Sequence, residues 1–169
     1  FCHTGGFGLA AAQAGAKEVL LLDRSEKALE LAQDTATRHG LAGVATQKAE
    51  ALEALEAMGR DHRRFDIVVA DPPAFAKTRK DIPAGLRGYA KLARLAAALV
   101  APGGLLFIAS CSHHVSPGAF TDAVAEGLAK ARREARLLAT LGAGPDHPVH
   151  PLLPESAYLK GLLFQLPKV

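Results

Sequence analysis

The chain has 169 residues, enough for one domain with a real core, and 49% hydrophobic with 22% charged residues exclude a disordered segment. A net charge of +3 is a mild basic excess that by itself points only weakly to a polyanionic partner. No apolar stretch reaches membrane length, nothing resembles a signal peptide, and two cysteines without metal spacing or a disulfide framework fit a reducing cytosol.

The chain opens inside a glycine loop. Gly5-Gly6-Phe7-Gly8 leads into a helix expected over 8–14, and Gly6-Phe7-Gly8-Leu9-Ala10-Ala11 fits G-x-G-x-x-A. Glycines let a ligand approach the backbone, and free N–H groups at a helix start suit an anionic group. A strand over 18–22 ends at Asp23, where a carboxylate can accept both hydroxyls of a ribose. The pair fits NAD or S-adenosylmethionine, and spacing does not choose between them. A helix follows over 25–39, with Ser25 as N-cap and Gly40 past its end. After a short strand over 44–47, Glu50 has two readings: a partner for an adenine amino group, or an acid in the first turn of a helix over 51–58.

The strand expected over 65–70 is nearly all apolar, as when helices cover both faces. It runs into Asp71-Pro72-Pro73-Ala74-Phe75. Two prolines rigidify a turn and expose carbonyls, making a wall for a planar base, with Phe75 to stack on it and Asp71 to bond an amino group. This motif favours S-adenosylmethionine over NAD. Residues 78–86 read as a loop, 89–100 as a helix, and Pro102-Gly103-Gly104 as a turn into a strand over 105–109. That strand ends on Ser110-Cys111-Ser112-His113, a thiol flanked by small hydroxyls at a sheet rim. A helix over 117–133, a strand over 135–141, a loop over 142–155 and a closing strand over 158–166 complete the pattern. Strands alternating with helices predict a doubly wound, mostly parallel α/β sheet, with ligands beyond the carboxyl ends of its strands.

His3-Thr4-Gly5-Gly6-Phe7, Asp71-Pro72-Pro73, Arg87-Gly88-Tyr89, Ser110-Cys111-Ser112, Asp146-His147-Pro148-Val149 and Tyr158-Leu159-Lys160-Gly161 span nearly the whole chain. In these motifs the chain resembles class I S-adenosylmethionine methyltransferases, and more closely the bacterial large-subunit ribosomal RNA cytosine carbon-5 methyltransferases that carry an N-terminal PUA domain. The resemblance implies a Rossmann-like sheet with an antiparallel last strand. It implies S-adenosylmethionine at Thr4, Gly5, Gly6, Phe7, Asp23, Arg24 and Glu50, with Cys111 and Asp71 catalytic and no metal. Relatives in other cytosine methyltransferase branches carry a second cysteine after the proline turn. Here that place is Ala74, which leaves the base for the carbon-5 proton unassigned. The resemblance also implies that the first, central strand and the PUA domain lie upstream, so residues 1–169 alone are expected to be an incomplete, unstable domain.

Cys111 suits covalent catalysis, because a thiolate adding at carbon 6 turns cytosine into an enamine that attacks a methyl donor. Cys2 is expected to stand two strand spacings, about 9.6 Å, from Cys111, beyond disulfide reach, and to serve packing. His113 and His114 beside Cys111 make no metal site, since adjacent residues rarely hold one ion. Lys77, Arg79, Lys80, Arg87 and Lys91, opposed only by Asp81, follow the fourth strand and suit phosphate contact with Arg79, Lys80 and Arg87 foremost. Arg60, Arg63, Arg64, Lys130, Arg132 and Arg133 are expected on the opposite sheet edge as solvated surface. The substrate expected is ribosomal RNA, in the cytoplasm, with homo-oligomers left open. Two rival readings stand: methylation of an exocyclic amino group through Asp-Pro-Pro-x-Phe, which needs no thiol, and a non-catalytic cofactor- or RNA-binding fragment.

Overall fold

A computed structural model describes residues 1–168, which form two compact units, one of Phe1–Ala54 and one that begins at Leu55. The first unit carries α1 (Gly6–Gln13), β1 (Val19–Asp23), α2 (Glu26–Arg38) and β2 (Val44–Lys48), and the unit boundary falls within α3 (Ala51–Arg60). β1 and β2 pair in parallel from Val19↔Val44 to Asp23↔Lys48. Leu21, Leu29 and Ala32 form the core, and Cys2 packs against them, the role expected for it. Ser25 caps α2, its Oγ accepting from the Ala28 amide at 3.3 Å, and Gly40 follows in the left-handed region.

The second unit holds β3 (Phe65–Ala70), α4 (Ile82–Leu99), β4 (Val100–Ser110), α5 (Pro117–Lys130), β5 (Arg136–Leu141) and β6 (Lys160–Gln165). Its strand order is β3-β4-β6-β5, with β3 parallel to β4 and β6 antiparallel to both neighbours. This is the expected mostly parallel α/β arrangement with an antiparallel last strand. Among the described residues the strands hydrogen-bond as two sheets rather than one. α4 and α5 pack tightly because residue 127 is glycine: a Cβ there would lie 2.3 Å from the Ala90 carbonyl oxygen.

Four local expectations need correction. Residues 82–86 are helical, not loop: Thr78 and Asp81 form a capping box, Pro83 sits in the first turn where its missing N–H costs nothing, and α4 runs on through Gly85 and Gly88. The Pro102-Gly103 turn is a bulge inside β4, since Phe65 pairs with Val100 but Ile67 with Leu105, and Gly103 takes φ +85°. β3 is not covered on both faces, for Ile67 and Val69 are 56% and 42% exposed. Arg133 is no solvated surface residue: it donates to the carbonyls of Ala97 and Val100 at 3.3 and 2.9 Å, closing the end of α4.

Candidate functional site

In the first unit the loop after Cys2 turns tightly, the Gly5 amide donating to the Cys2 carbonyl at 2.8 Å. Gly5 has φ +83°, and a Cβ there would sit 2.9 Å from Leu21 Cδ1, so only glycine fits without a shift. Gly6 faces open space, Thr4 and Phe7 are exposed, and no side chain caps the start of α1. The Gly6 amide at its start therefore suits an anionic group.

Asp23 closes β1. Its Oδ2 accepts from the His3 amide at 2.8 Å and its Oδ1 from the Ser25 amide at 3.0 Å. Burial works to raise this carboxyl, but the Ser25 and His3 amides outweigh it and hold it below the usual aspartate range. Each oxygen keeps acceptor capacity, so a fixed, charged, acceptor-only group suits two ribose hydroxyls. His3, in the left-handed region at φ 49°, is a participant that the sequence reading left out of the site; its amide, not its ring, does the work. Arg24 is exposed beside Asp23. Glu50 is also exposed, and its carbonyl accepts from the Ala54 amide as α3 begins. Glycine cradle, uncapped helix start and oriented carboxylate together fit the nucleoside and amino-acid ends of S-adenosylmethionine.

The second unit brings Asp71 and Cys111 to neighbouring strand ends. β3 and β4 run parallel with Ala70 opposite Ile108, and the two residues follow from there. Cys111 is half-buried, with its Sγ 3.8 Å from the Pro72 carbonyl oxygen. Burial pushes its thiol up, and the Asp71 charge adds to this. Asp71 has an open side to solvent, yet the protein packed about it desolvates the carboxyl and raises it as well.

The serines beside the thiol do not simply leave access open. Ser110 and Ser112 are 1% and 0% exposed, and both hydroxyls meet the hydroxyl of Tyr89, itself fully buried, at 2.8 and 2.7 Å. Ser112 Oγ also accepts the Ala76 amide at 3.1 Å, which ties the proline turn to the cysteine segment. Phe75 lies on the same support: its ring centroid is 4.8 Å from that of Tyr89, and a Cβ on Gly88 would strike it at 2.9 Å. Thus Gly88 and Tyr89 are a seat for the turn, which the appearance of Arg87-Gly88-Tyr89 among family-like motifs did not reveal. Pro72 is fully buried, so of the two prolines only Pro73 is exposed to a base. Tyr89→Phe would take the shared hydroxyl partner from two buried serines, leaving them only the amides they accept from Ala76 and Ser112, and is expected to cost about 1–3 kcal/mol. A denaturant midpoint lowered at constant slope would show it, and a change under about 0.5 kcal/mol would mean that the serines re-pair.

Of the basic residues after β3, Lys77, Arg79, Lys80 and Arg87 are exposed. Lys91 is not available in the same way, for it pairs with Glu56 at 2.9 Å. Asp81 is taken up by Thr78, accepting from its amide and hydroxyl at 2.9 and 2.8 Å. Arg63 lies over the Phe65 ring at 5.1 Å. Among the described residues there is no group of three or more side chains able to hold a metal, and no helix is long and apolar enough to cross a membrane.

The family described as "Methyltransferase domain" matches residues 1–143. The chain is similar to Ribosomal RNA large subunit methyltransferase I of Aeromonas hydrophila, at 39% identity over 165 residues, 96% of this chain and 42% of that protein. The namesake from Tolumonas auensis gives the same identity and coverage. The chain thus spans 42% of the length of these curated relatives. Among solved structures, SMU.776 complexed with SAH superposes with a TM-score of 0.83 at 21% identity, covering 97% of this chain and 43% of that one. TrmN from Thermus thermophilus gives 0.67 at 22% identity, with 98% and 42% covered. At such identities the likeness is one of fold.

Proposed function

The chain belongs to the methyltransferase domain family, with the class I fold and S-adenosylmethionine as cofactor, and from that premise we propose that it methylates carbon 5 of a cytosine in ribosomal RNA. The observation that carries this reading is the thiol of Cys111 at a strand end beside Asp71, on a seat of buried hydrogen bonds. Methylation of an exocyclic amino group uses no thiol.

S-adenosylmethionine, when bound, would supply an electrophilic methyl group, its sulfur keeping the electron pair of the bond that breaks. Thr4, Gly5, Gly6 and Phe7 take its amino-acid end, Asp23 its ribose, and Arg24 and Glu50 flank the nucleoside. Cys111, as thiolate, forms a bond to cytosine carbon 6, and the electron pair of the 5,6 double bond moves to carbon 5, which takes the methyl group. Asp71 accepts from the base amino group, and its carboxyl, raised by burial, donates in its protonated form to the ring nitrogen as negative charge develops there. Loss of the carbon-5 proton to water then returns an electron pair to the ring and expels the thiolate. Pro73 offers the base a rigid flank, Pro72 and Phe75 anchor the turn that carries it, and Arg79, Lys80 and Arg87 take phosphates once the nucleotide leaves its stack.

The catalytic part so described belongs, in our reading, to a longer cytoplasmic protein with a further RNA-binding domain, consistent with the 42% coverage of its relatives. Mapping methylated bases in ribosomal RNA from a strain without the gene tests the substrate. One large-subunit 5-methylcytosine should disappear and return with the restored gene. Loss of a methylated amino group instead, or no change at all, would refute the assignment.

A further inference from the structure

Lys160 opens β6 and pairs in register with Ser110, the last residue of β4 and the neighbour of Cys111. Its Nζ donates to the Ser112 carbonyl at 3.0 Å and to the Tyr158 carbonyl at 2.7 Å. Cys111 is thus bracketed by a residue opposite Lys160 and a residue bonded to it. An ammonium has three donors, and these two bonds leave one. Among the described residues no carboxylate lies within ion-pair distance of Nζ, although the side chain is half-buried. A desolvated charge with only neutral partners is costly, and an anion nearby relieves that cost.

We propose that Lys160 is a positioning residue for Cys111, its ammonium being the cation that favours the thiolate; this rests on the reading of Cys111 as nucleophile. Lys160 keeps its proton throughout, and the proton lost by the thiol passes to water. The other titratable groups around the thiol are Asp71 at the end of β3, His113 and His114 in the following loop, and Tyr158, whose ring stands edge-on to His113 at 6.5 Å. Asp71 opposes ionisation of the thiol and Lys160 favours it. Burial depresses the Lys160 ammonium, and the Cys111 charge acts the other way.

Alkylation of the full-length protein by iodoacetamide, followed by mass spectrometry across pH, reads the ionisation of Cys111 without RNA or cofactor, with Cys2 as internal control. Lys160→Gln should slow Cys111 alkylation about three- to tenfold near neutral pH, with the rates converging once the thiol is fully ionised. Lys160→Arg should keep the wild-type profile. An unshifted profile in Lys160→Gln overturns the proposal, and so does equal slowing at every pH, which marks a structural strut. Because no base is attacked here, a failed nucleophile assignment would show separately, in covalent trapping of RNA.

Discussion

Cys111→Ala is expected to abolish methyl transfer while S-adenosylmethionine still binds. In the proposed reading the thiol serves the base chemistry, whereas the glycine loop and Asp23, proposed to hold the cofactor, keep their own bonds to the His3 and Ser25 amides when Cys111 is replaced. RNA carrying 5-fluorocytosine, which has no carbon-5 proton to lose, should become covalently trapped on the wild type and not on the variant. Cys2→Ala should keep most of its activity, since Cys2 packs on Leu21, Leu29 and Ala32. Burial and Asp71 both raise the Cys111 thiol, so turnover should climb as pH rises toward its ionisation. Full activity in Cys111→Ala would instead favour amino-group methylation, with Asp71 and the proline turn at its centre.

Asp23→Ala should have the second largest effect, on cofactor affinity. On the proposed assignment it would remove an acceptor for one or two ribose hydroxyls, each charge-assisted bond contributing roughly 1.5–3 kcal/mol. Calorimetry on the full-length protein should therefore show binding weaker by at least tenfold, and unchanged affinity, or a preference for NAD, would sink the assignment. The same carboxylate orders the amides of His3 and Ser25, so the loop should loosen too. Its folded pKa is depressed, so this stabilisation is complete above the ordinary aspartate value of about 3.9 and fades only as pH falls through the lower folded value.

Much of the fold was legible because it is written in local periodicity and in punctuation. β3 is found at 65–70 as expected, and Ser25 and Gly40 bound the helix they were expected to bound. Errors arose where a residue's local preference was overruled by its neighbours in space. Gly85 read as a loop residue, but the turn at Phe75 and Ala76 packs so closely on Gly85 and Gly88 that a helix with glycine at both places is the solution. Arg133 read as a solvated charge, and only the carbonyls of Ala97 and Val100 reveal its use.

The candidate site divides in the same way. The order of motifs along the chain was sufficient to place Asp23, Asp71 and Cys111 each at a strand end, because a strand-loop junction is a local property. Which groups those side chains answer to is not local. His3 meets Asp23 across 20 positions, Tyr89 meets Ser110 across 21, and Lys160 reaches Ser112 across 48. Such pairings depend on strand register and helix packing, which bring distant backbone and hydroxyl groups within bonding distance. Sequence thus determined most element types and which reactive side chains stand at the strand ends. Tertiary structure alone decided that Ser110 and Ser112 support the thiol from inside, that Pro72 is buried, and that a lysine from the last strand stands beside Cys111.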